Sequence, residues 1–228
     1  MGEVSVLILP ALDGAGVLAH TPYGEVRGVA MAEGVTALQR GGDARALIYA
    51  AKEMGARRVL AGDVVQAISP LLEPGDVVIP ADTIDQTRLR PFTFFVGKGY
   101  GFIKLNPPFC PSLMGACLAG ARLVTPRAFK GAVYICTDGP RDATPSELKA
   151  FRHWGADVAG SALLPEAYLA RELELCYAAV TVVGGGDLLG LLQGIVGASG
   201  QQVKECSCGE TMKFMKSQGI IGEDWRSW

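Results

Sequence analysis

The sequence predicts an α/β fold, and three observations between Gly131 and Val183 carry that prediction. Two apolar, β-branched runs, Ala132–Cys136 and Cys176–Val183, read as buried strands. Two helical patterns lie between them, each with a start signal. Thr144 followed by Pro145 and, three residues on, Glu147 is a capping box with proline at the first helical position. Pro165 and Glu166 open the second, where a carboxylate suits the positive end of a helix. Strand, loop, helix, strand, helix, strand is an α/β unit, and in such units ligands sit beyond the carboxyl ends of strands. Asp138–Thr144 and Gly184–Asp187 are therefore the places to look.

The other elements follow in order. Val4–Leu9 reads as a buried first strand, ended by Pro10 and a turn at Asp13-Gly14-Ala15-Gly16. Such a short glycine run is read as a turn rather than a phosphate loop. Gly24–Met31 reads as a strand, Ala44–Met54 as a helix and Arg57–Ala61 as the next buried strand. Pro74–Pro80 and Thr83–Thr87 form a turn-strand-turn region, Gly97–Gly101 a loop, and Cys110–Ala121 a helix from a Pro-bounded turn. Asp187–Ala198 is a Gly-interrupted apolar helix and Glu210–Lys216 a last short one. Trp225 and Trp228 read as a structural latch, since tryptophan is usually well buried.

At 228 residues and 24.0 kDa the chain makes one domain or at most two, and is read as a single domain over 1–228. Its mean hydropathy of +0.26 is high, yet no apolar run reaches the ~18 residues of a membrane helix and no signal segment opens the chain. Surplus apolar surface then points to subunit contacts. The net charge of −2 gives no reason to expect nucleic acid. Six cysteines without a signal segment suggest a cytoplasmic protein with reduced, buried thiols. Cys206 and Cys208 form a Cys-x-Cys pair, not Cys-x-x-Cys, and no second pair has metal spacing. Zinc is accordingly a poor reading, and neither a metal nor a cofactor is expected. His20 and His153, the two histidines, lie in no Ser/His or Cys/His catalytic arrangement.

Several blocks carry a resemblance. Thr-Asp-Gly-Pro-Arg (137–141), Trp-Gly-Ala-Asp-Val (154–158), Pro-Glu-Ala-Tyr-Leu-Ala-Arg (165–171) and Leu-Cys-Tyr-Ala (175–178) come in a familiar order. Upstream stand Thr-Pro-Tyr-Gly-Glu (21–25), Pro-Gly-Asp-Val-Val-Ile-Pro (74–80), Ile-Asp-Gln-Thr (84–87) and Pro-Phe-Cys-Pro (108–111). Together they resemble the trimeric purine nucleoside phosphorylases, most closely the 5′-methylthioadenosine phosphorylases. The resemblance covers most of the chain. It implies a three-layer α/β sandwich around a mixed, partly barrelled sheet, a homotrimer or homohexamer, and pentosyl transfer at the N-glycosidic bond of a purine nucleoside. It also raises a Cys206–Cys208 disulfide, known in thermophilic relatives, although ordinary thiols remain the preferred reading.

The same resemblance marks where this chain departs from the family. Phosphorolysis needs an anion held against the sugar, so its site wants Arg, His, hydroxyls and backbone N–H groups. The family's first phosphate loop aligns with Leu9-Pro10-Ala11, where Pro10 has no N–H and Ala11 no hydroxyl. Ala32-Glu33-Gly34 stands where Arg-His-Gly is expected, and Asp63 where a phosphate-binding Thr is expected. Ser161-Ala162 replaces Met-Ser/Thr. Carboxylates at Glu33 and Asp63 would cost a phosphate several kcal/mol at ~4 Å, enough to abolish weak binding. In the base site Asp138-Gly139-Pro140-Arg141 matches the family's Glu-Gly-Pro-Arg/Ser, Asp142 takes the place of the stacking Phe, and Gly184-Gly185-Gly186-Asp187 keeps one of two aspartates. Asp187 could equally cap the following helix, and Arg141 could pair with Asp142 or Asp138.

The candidate residues are thus Asp187 and Asp63 for catalysis and Asp138, Arg141, Asp142, Ser161 and Glu33 for a small-molecule ligand. Three functions are open: a diverged family enzyme that still cleaves or transfers at a nucleoside glycosidic bond, a nucleoside hydrolase in which Asp63 or Glu33 activates water, and a non-catalytic ligand-binding or structural homologue. The altered phosphate contacts favour loss of phosphorolysis. Should Asp63, Asp142, Asp187 and Glu33 converge, repulsion and burial would raise a pKa among them.

Overall fold

The structure is a computed structural model that describes residues 4–31, 34–97, 101–198 and 206–222. Four strands, β1 (Val4–Leu9), β2 (Gly16–Thr21), β3 (Gly24–Ala30) and β4 (Val35–Gln39), lead into helix α1 (Ala44–Glu53). Strands β5 (Ala56–Ala67) and β6 (Val77–Gln86) precede α2 (Pro111–Val124). Then come β7 (Ala128–Thr137), α3 (Pro145–His153), β8 (Val158–Gly160), α4 (Glu166–Glu172), β9 (Cys176–Val183) and α5 (Leu188–Ala198). A 3-10 turn, Cys208–Glu210, and α6 (Lys213–Ser217) complete the described chain.

The described strands form one mixed sheet in the order β2-β3-β4-β1-β5-β8-β7-β6-β9, and β9 returns to pair with β5. Strands β5, β8, β7, β6 and β9 therefore close a ring, and β1, β4, β3 and β2 extend from it as an open wing. The twelve-residue β5 belongs to both parts. It runs parallel to β1 over its first half, parallel to β9 from Arg58 to Val65, and antiparallel to β8 at Gln66 and Ala67. Such a strand is covered on both faces, and Val59, Leu60, Ala61 and Val65 are buried accordingly. Gly62 interrupts it where Leu9, Leu188 and Leu192 approach so closely that a Cβ would lie 3.2–3.5 Å from their methyl groups. Helix α2 packs on α5 and α1 on α4, which gives helical layers beside the sheet. This is the predicted three-layer α/β sandwich around a mixed, partly barrelled sheet.

Helix starts are where the sequence was most explicit. Thr144 Oγ1 accepts from Glu147 N and the Glu147 carboxylate accepts from Thr144 N, the reciprocal capping box. Elsewhere the chain departs from expectation. Strands β2 and β4 were not anticipated: β2 is mostly exposed and shows no apolar–polar alternation, and β4 has five residues. Strand β6 runs unbroken from Val77 to Gln86, taking up Pro80 by shifts of register against β7. The latch expected of Trp225 and Trp228, and most of the Gly97–Gly101 loop, lie outside the described residues. Among the described residues no helix is long and apolar enough to cross a membrane.

Candidate functional site

A cavity of about 290 Å³ opens at the carboxyl end of the wing strands, where α1, α4 and the segment after β6 meet. Its charged wall is made by Arg40, Arg90 and Glu166; Ser161, Gly41 and Leu47 stand around them. Arg40 is the first residue past β4, and its N–H donates to the Leu9 carbonyl (2.7 Å), which ties the ends of β1 and β4 together. Gly41 and Gly42 then turn the chain, Gly42 with φ +63°, to Asp43, whose carboxylate accepts from Arg45 N and caps α1.

Both arginines are committed to acceptors of the protein itself. Arg40 Nε and Nη2 donate to the two oxygens of Glu166 (2.6 and 3.2 Å), and Nη1 donates to the Gly62 carbonyl (3.0 Å). Glu166 is 1% exposed and accepts a further bond from the Tyr177 hydroxyl (2.7 Å). This is a buried, bidentate ion pair whose lone pairs are largely satisfied. Arg90 Nη1 donates to the Leu164 carbonyl (2.6 Å) and Nη2 to the Thr137 carbonyl (3.1 Å), while its Nε lies 3.3 Å from Asp138.

A second hollow of about 470 Å³ lies on the other side of Pro91. Phe92, Phe95, Phe102 and Tyr168 give it an aromatic lining, and Glu172 is at its base. The Glu172 carboxylate accepts from Thr93 Oγ1 and from Phe94 N, both at 2.7 Å. Burial nevertheless pushes its pKa up to about 7. Helix α4 serves both hollows, with Glu166 facing the first and Tyr168 and Glu172 facing the second.

The residues singled out from sequence are placed as follows. Asp63 is 6% exposed; its carboxylate accepts from the Tyr134 hydroxyl (2.7 Å) and from Val64 N (2.9 Å). The Tyr134 hydroxyl in turn accepts from Ala162 N (3.0 Å). Burial raises the pKa of Asp63, against the lowering effect of Tyr134 and Arg40. Its neighbour across the sheet is Gly160, where a Cβ would fall 2.4 Å from the carboxylate, so Asp63 packs into β8. Asp187 is exposed and accepts from Gly190 N (2.9 Å), the helix-capping role. Arg141 pairs with Glu147, at 2.7 and 2.8 Å, and donates to the Asp142 backbone carbonyl (3.0 Å) rather than to the carboxylate of Asp142 or Asp138. Asp142 is exposed. Asp138 accepts from Arg88 N and holds Arg90. Of the candidates, Ser161 reaches the wall of the first cavity. Glu33 lies outside the described residues.

The condition of converging carboxylates is not met by the three that are described: Asp63 is held by Tyr134, Asp187 caps α5, Asp142 is exposed, and none lines the cavity. A cation outside the sequence candidates stands in the cavity wall: Arg40, in a Gln-Arg-Gly-Gly run at the end of β4. It was missed because β4 was not recognised, and Ala32-Glu33-Gly34 was aligned with Arg-His-Gly instead. An arginine between a short apolar run and a Gly-Gly-Asp helix start was the available signal.

The family model described as Phosphorylase superfamily matches residues 28–205. The chain belongs to this superfamily. It is 34% identical to the 6-oxopurine nucleoside phosphorylase of Pyrococcus furiosus over 97% of its own length and 88% of that protein. It is 44% identical to a probable S-methyl-5′-thioinosine phosphorylase of Methanopyrus kandleri, over 60% of this chain and 53% of the relative, so that match spans about half of the relative's length. Among solved structures, a methylthioadenosine phosphorylase from an antarctic soil metagenomic library has the same fold, with a TM-score of 0.72 at 24% identity over 98% of this chain and 90% of that one.

Proposed function

We propose that this chain is a diverged member of the purine nucleoside and 5′-methylthioadenosine phosphorylases that binds a purine nucleoside without cleaving it by phosphorolysis. The observation that carries this reading is the engagement of both cavity arginines. Arg40 is neutralised by Glu166 through two bonds and Arg90 is spent on two carbonyls and Asp138. An incoming phosphate would have to displace those acceptors, and the loss of their bonds would offset what it gained. The neighbouring positions do not compensate: Pro10 has no N–H, Ala162 has no hydroxyl, and Ala162 N is already given to Tyr134.

A neutral ligand suits the site better. The aromatic hollow offers faces for a flat purine or an apolar 5′ substituent, and the Arg40–Glu166 and Ser161 wall offers polar partners to ribose hydroxyls. The relatives' names, with their 6-oxopurine and methylthio nucleosides, fit a ligand of that class. A single-domain protein of the cytoplasm, assembled as a homotrimer or homohexamer, belongs to the same proposal. It rests on six cysteines with no disulfide among them and on exposed apolar side chains near Leu89 and Phe92.

Calorimetry with inosine, 5′-methylthioinosine, 5′-methylthioadenosine and phosphate, together with chromatographic detection of free base, tests the reading. A nucleoside should bind, phosphate alone should give no heat at millimolar concentration, and no base should be released. Base release that depends on phosphate would overturn the loss of phosphorolysis. Release without phosphate would put a hydrolase in place of a binder, and failure of every nucleoside to bind would remove the ligand class.

A further inference from the structure

Four cysteines from distant parts of the chain meet at one point, beside Arg171 of α4. Cys110 is the residue from which α2 starts, and Cys176 opens β9. Cys206 comes just before the 3-10 turn that Cys208 begins. The four sulfurs all lie within 4.8 Å of one another, with those of Cys176 and Cys206 3.2 Å apart. Cys110 and Cys208 are buried, Cys176 is half-buried and Cys206 is exposed, so the group is enclosed by protein but open to solvent at one corner. No disulfide joins any of them.

We propose that Cys110, Cys176, Cys206 and Cys208 form a tetrathiolate site for one divalent thiophilic ion, zinc in the first place. A Zn–S bond of about 2.3 Å puts the sulfurs of a tetrahedron about 3.8 Å apart, and the observed group needs only small rotamer changes to reach that spacing. Softness of the ligands selects the same ion, because four thiolates favour zinc over calcium, magnesium or manganese. The surroundings suit the charge that results. Four thiolates around a divalent ion keep two negative charges, and Arg171 Nη1 lies 3.3 Å from Cys208 Sγ. Its Nη2 is fixed on the carbonyls of Pro107 and Pro108 (2.6 and 3.4 Å), so the guanidinium is held towards the sulfurs by the segment that carries Cys110. Cys110 also stands at the positive end of the fourteen-residue α2, which favours a thiolate there. On binding, each thiol gives its proton to solvent and a sulfur lone pair to the ion, with no change of oxidation state.

The expectation of no metal rested on the absence of a second cysteine pair close in sequence. The structure supplies that pair from Cys110 and Cys176, which the sheet and α2 bring beside the C-terminal Cys-x-Cys. The inference is independent of any nucleoside chemistry, because none of the four lines either hollow.

Protein purified without chelator should contain about one zinc per chain by elemental analysis. After removal of zinc under reducing conditions, cobalt should give the intense thiolate-to-metal bands and visible ligand-field bands of a tetrahedral sulfur site. The C206S/C208S pair should lower zinc affinity by at least ~10-fold, whereas C117S, a buried cysteine outside the group, should leave it unchanged. Cobalt on the unaltered protein keeps the test decisive even if the double variant folds poorly. Peptide mapping that finds these cysteines joined in disulfides, or free thiols with neither stoichiometric zinc nor cobalt–thiolate bands, would overturn the site.

Discussion

At the scale of single residues, the Arg40–Glu166 pair decides what the first cavity can hold. A guanidinium with three of its donors placed on Glu166 and Gly62 is a structural strut, although it stands in the wall of a cavity. The two roles separate in Glu166→Gln, which keeps the shape and removes the negative charge. Phosphate affinity should then rise by ~10-fold or more, the value of about one charge-assisted hydrogen bond, and calorimetry would register it. An unchanged affinity would show that Glu166 is not what masks Arg40. Glu172 makes a different prediction. Its pKa is raised from 4.5 to about 7, so its contribution to stability is complete below 4.5 and is lost as pH rises through about 7. Between those limits the unaltered protein should lose up to roughly 3 kcal/mol relative to Glu172→Gln, read from urea midpoints at each pH. Neither glutamate was singled out from sequence. Asp63, Asp142 and Asp187 were, because a carboxylate after a strand looks like a ligand, whereas in the fold they meet Tyr134, solvent and a helix N-terminus.

At the scale of elements, legibility followed the locality of the signal. The α3 start was readable because Thr144, Pro145 and Glu147 form it among themselves, and Thr144→Ala should cost ~1 kcal/mol in chemical denaturation with little change elsewhere. Strands β5, β7 and β9 were readable as apolar runs because both their faces are covered. Strand β2 was not, since its pattern is mostly exposed and its pairing with β3 is specified by Gly24, at φ +127°, and the turn before it. The missing β4 then displaced the reading of the site by several residues, which is how Arg40 was passed over. The cysteine group was illegible for a related reason: its members are brought together by the paths of α2, β9 and the C-terminal segment, none of which sequence spacing records.

At the scale of the whole molecule, the exposed apolar side chains call for a partner surface. Leu89 is 91% exposed, and Phe92 and Val96 are each 65% exposed, all in the segment after β6. Light scattering at micromolar concentration should give a multiple of 24.0 kDa, and Leu89→Asp with Val96→Asp should shift it towards the single chain. A 24.0 kDa particle for the unaltered protein would refute the assembly. Strand β5 has a consequence of another kind. It is the seam between ring and wing, hydrogen-bonded on one edge to β1 and β8 and on the other to β9. From Arg58 to Ala61 its amides point alternately towards β1 and β9, so the stretch is fully open to deuterium only when strands from both ends of the sequence have let go. Complete exchange of Arg58–Ala61 should therefore report global unfolding, while β2 at the wing's rim exchanges by local fraying. The seam is also the last thing the chain can finish as it folds: β5 can be zipped on one side early, but on the other only after residues more than a hundred positions downstream have arrived.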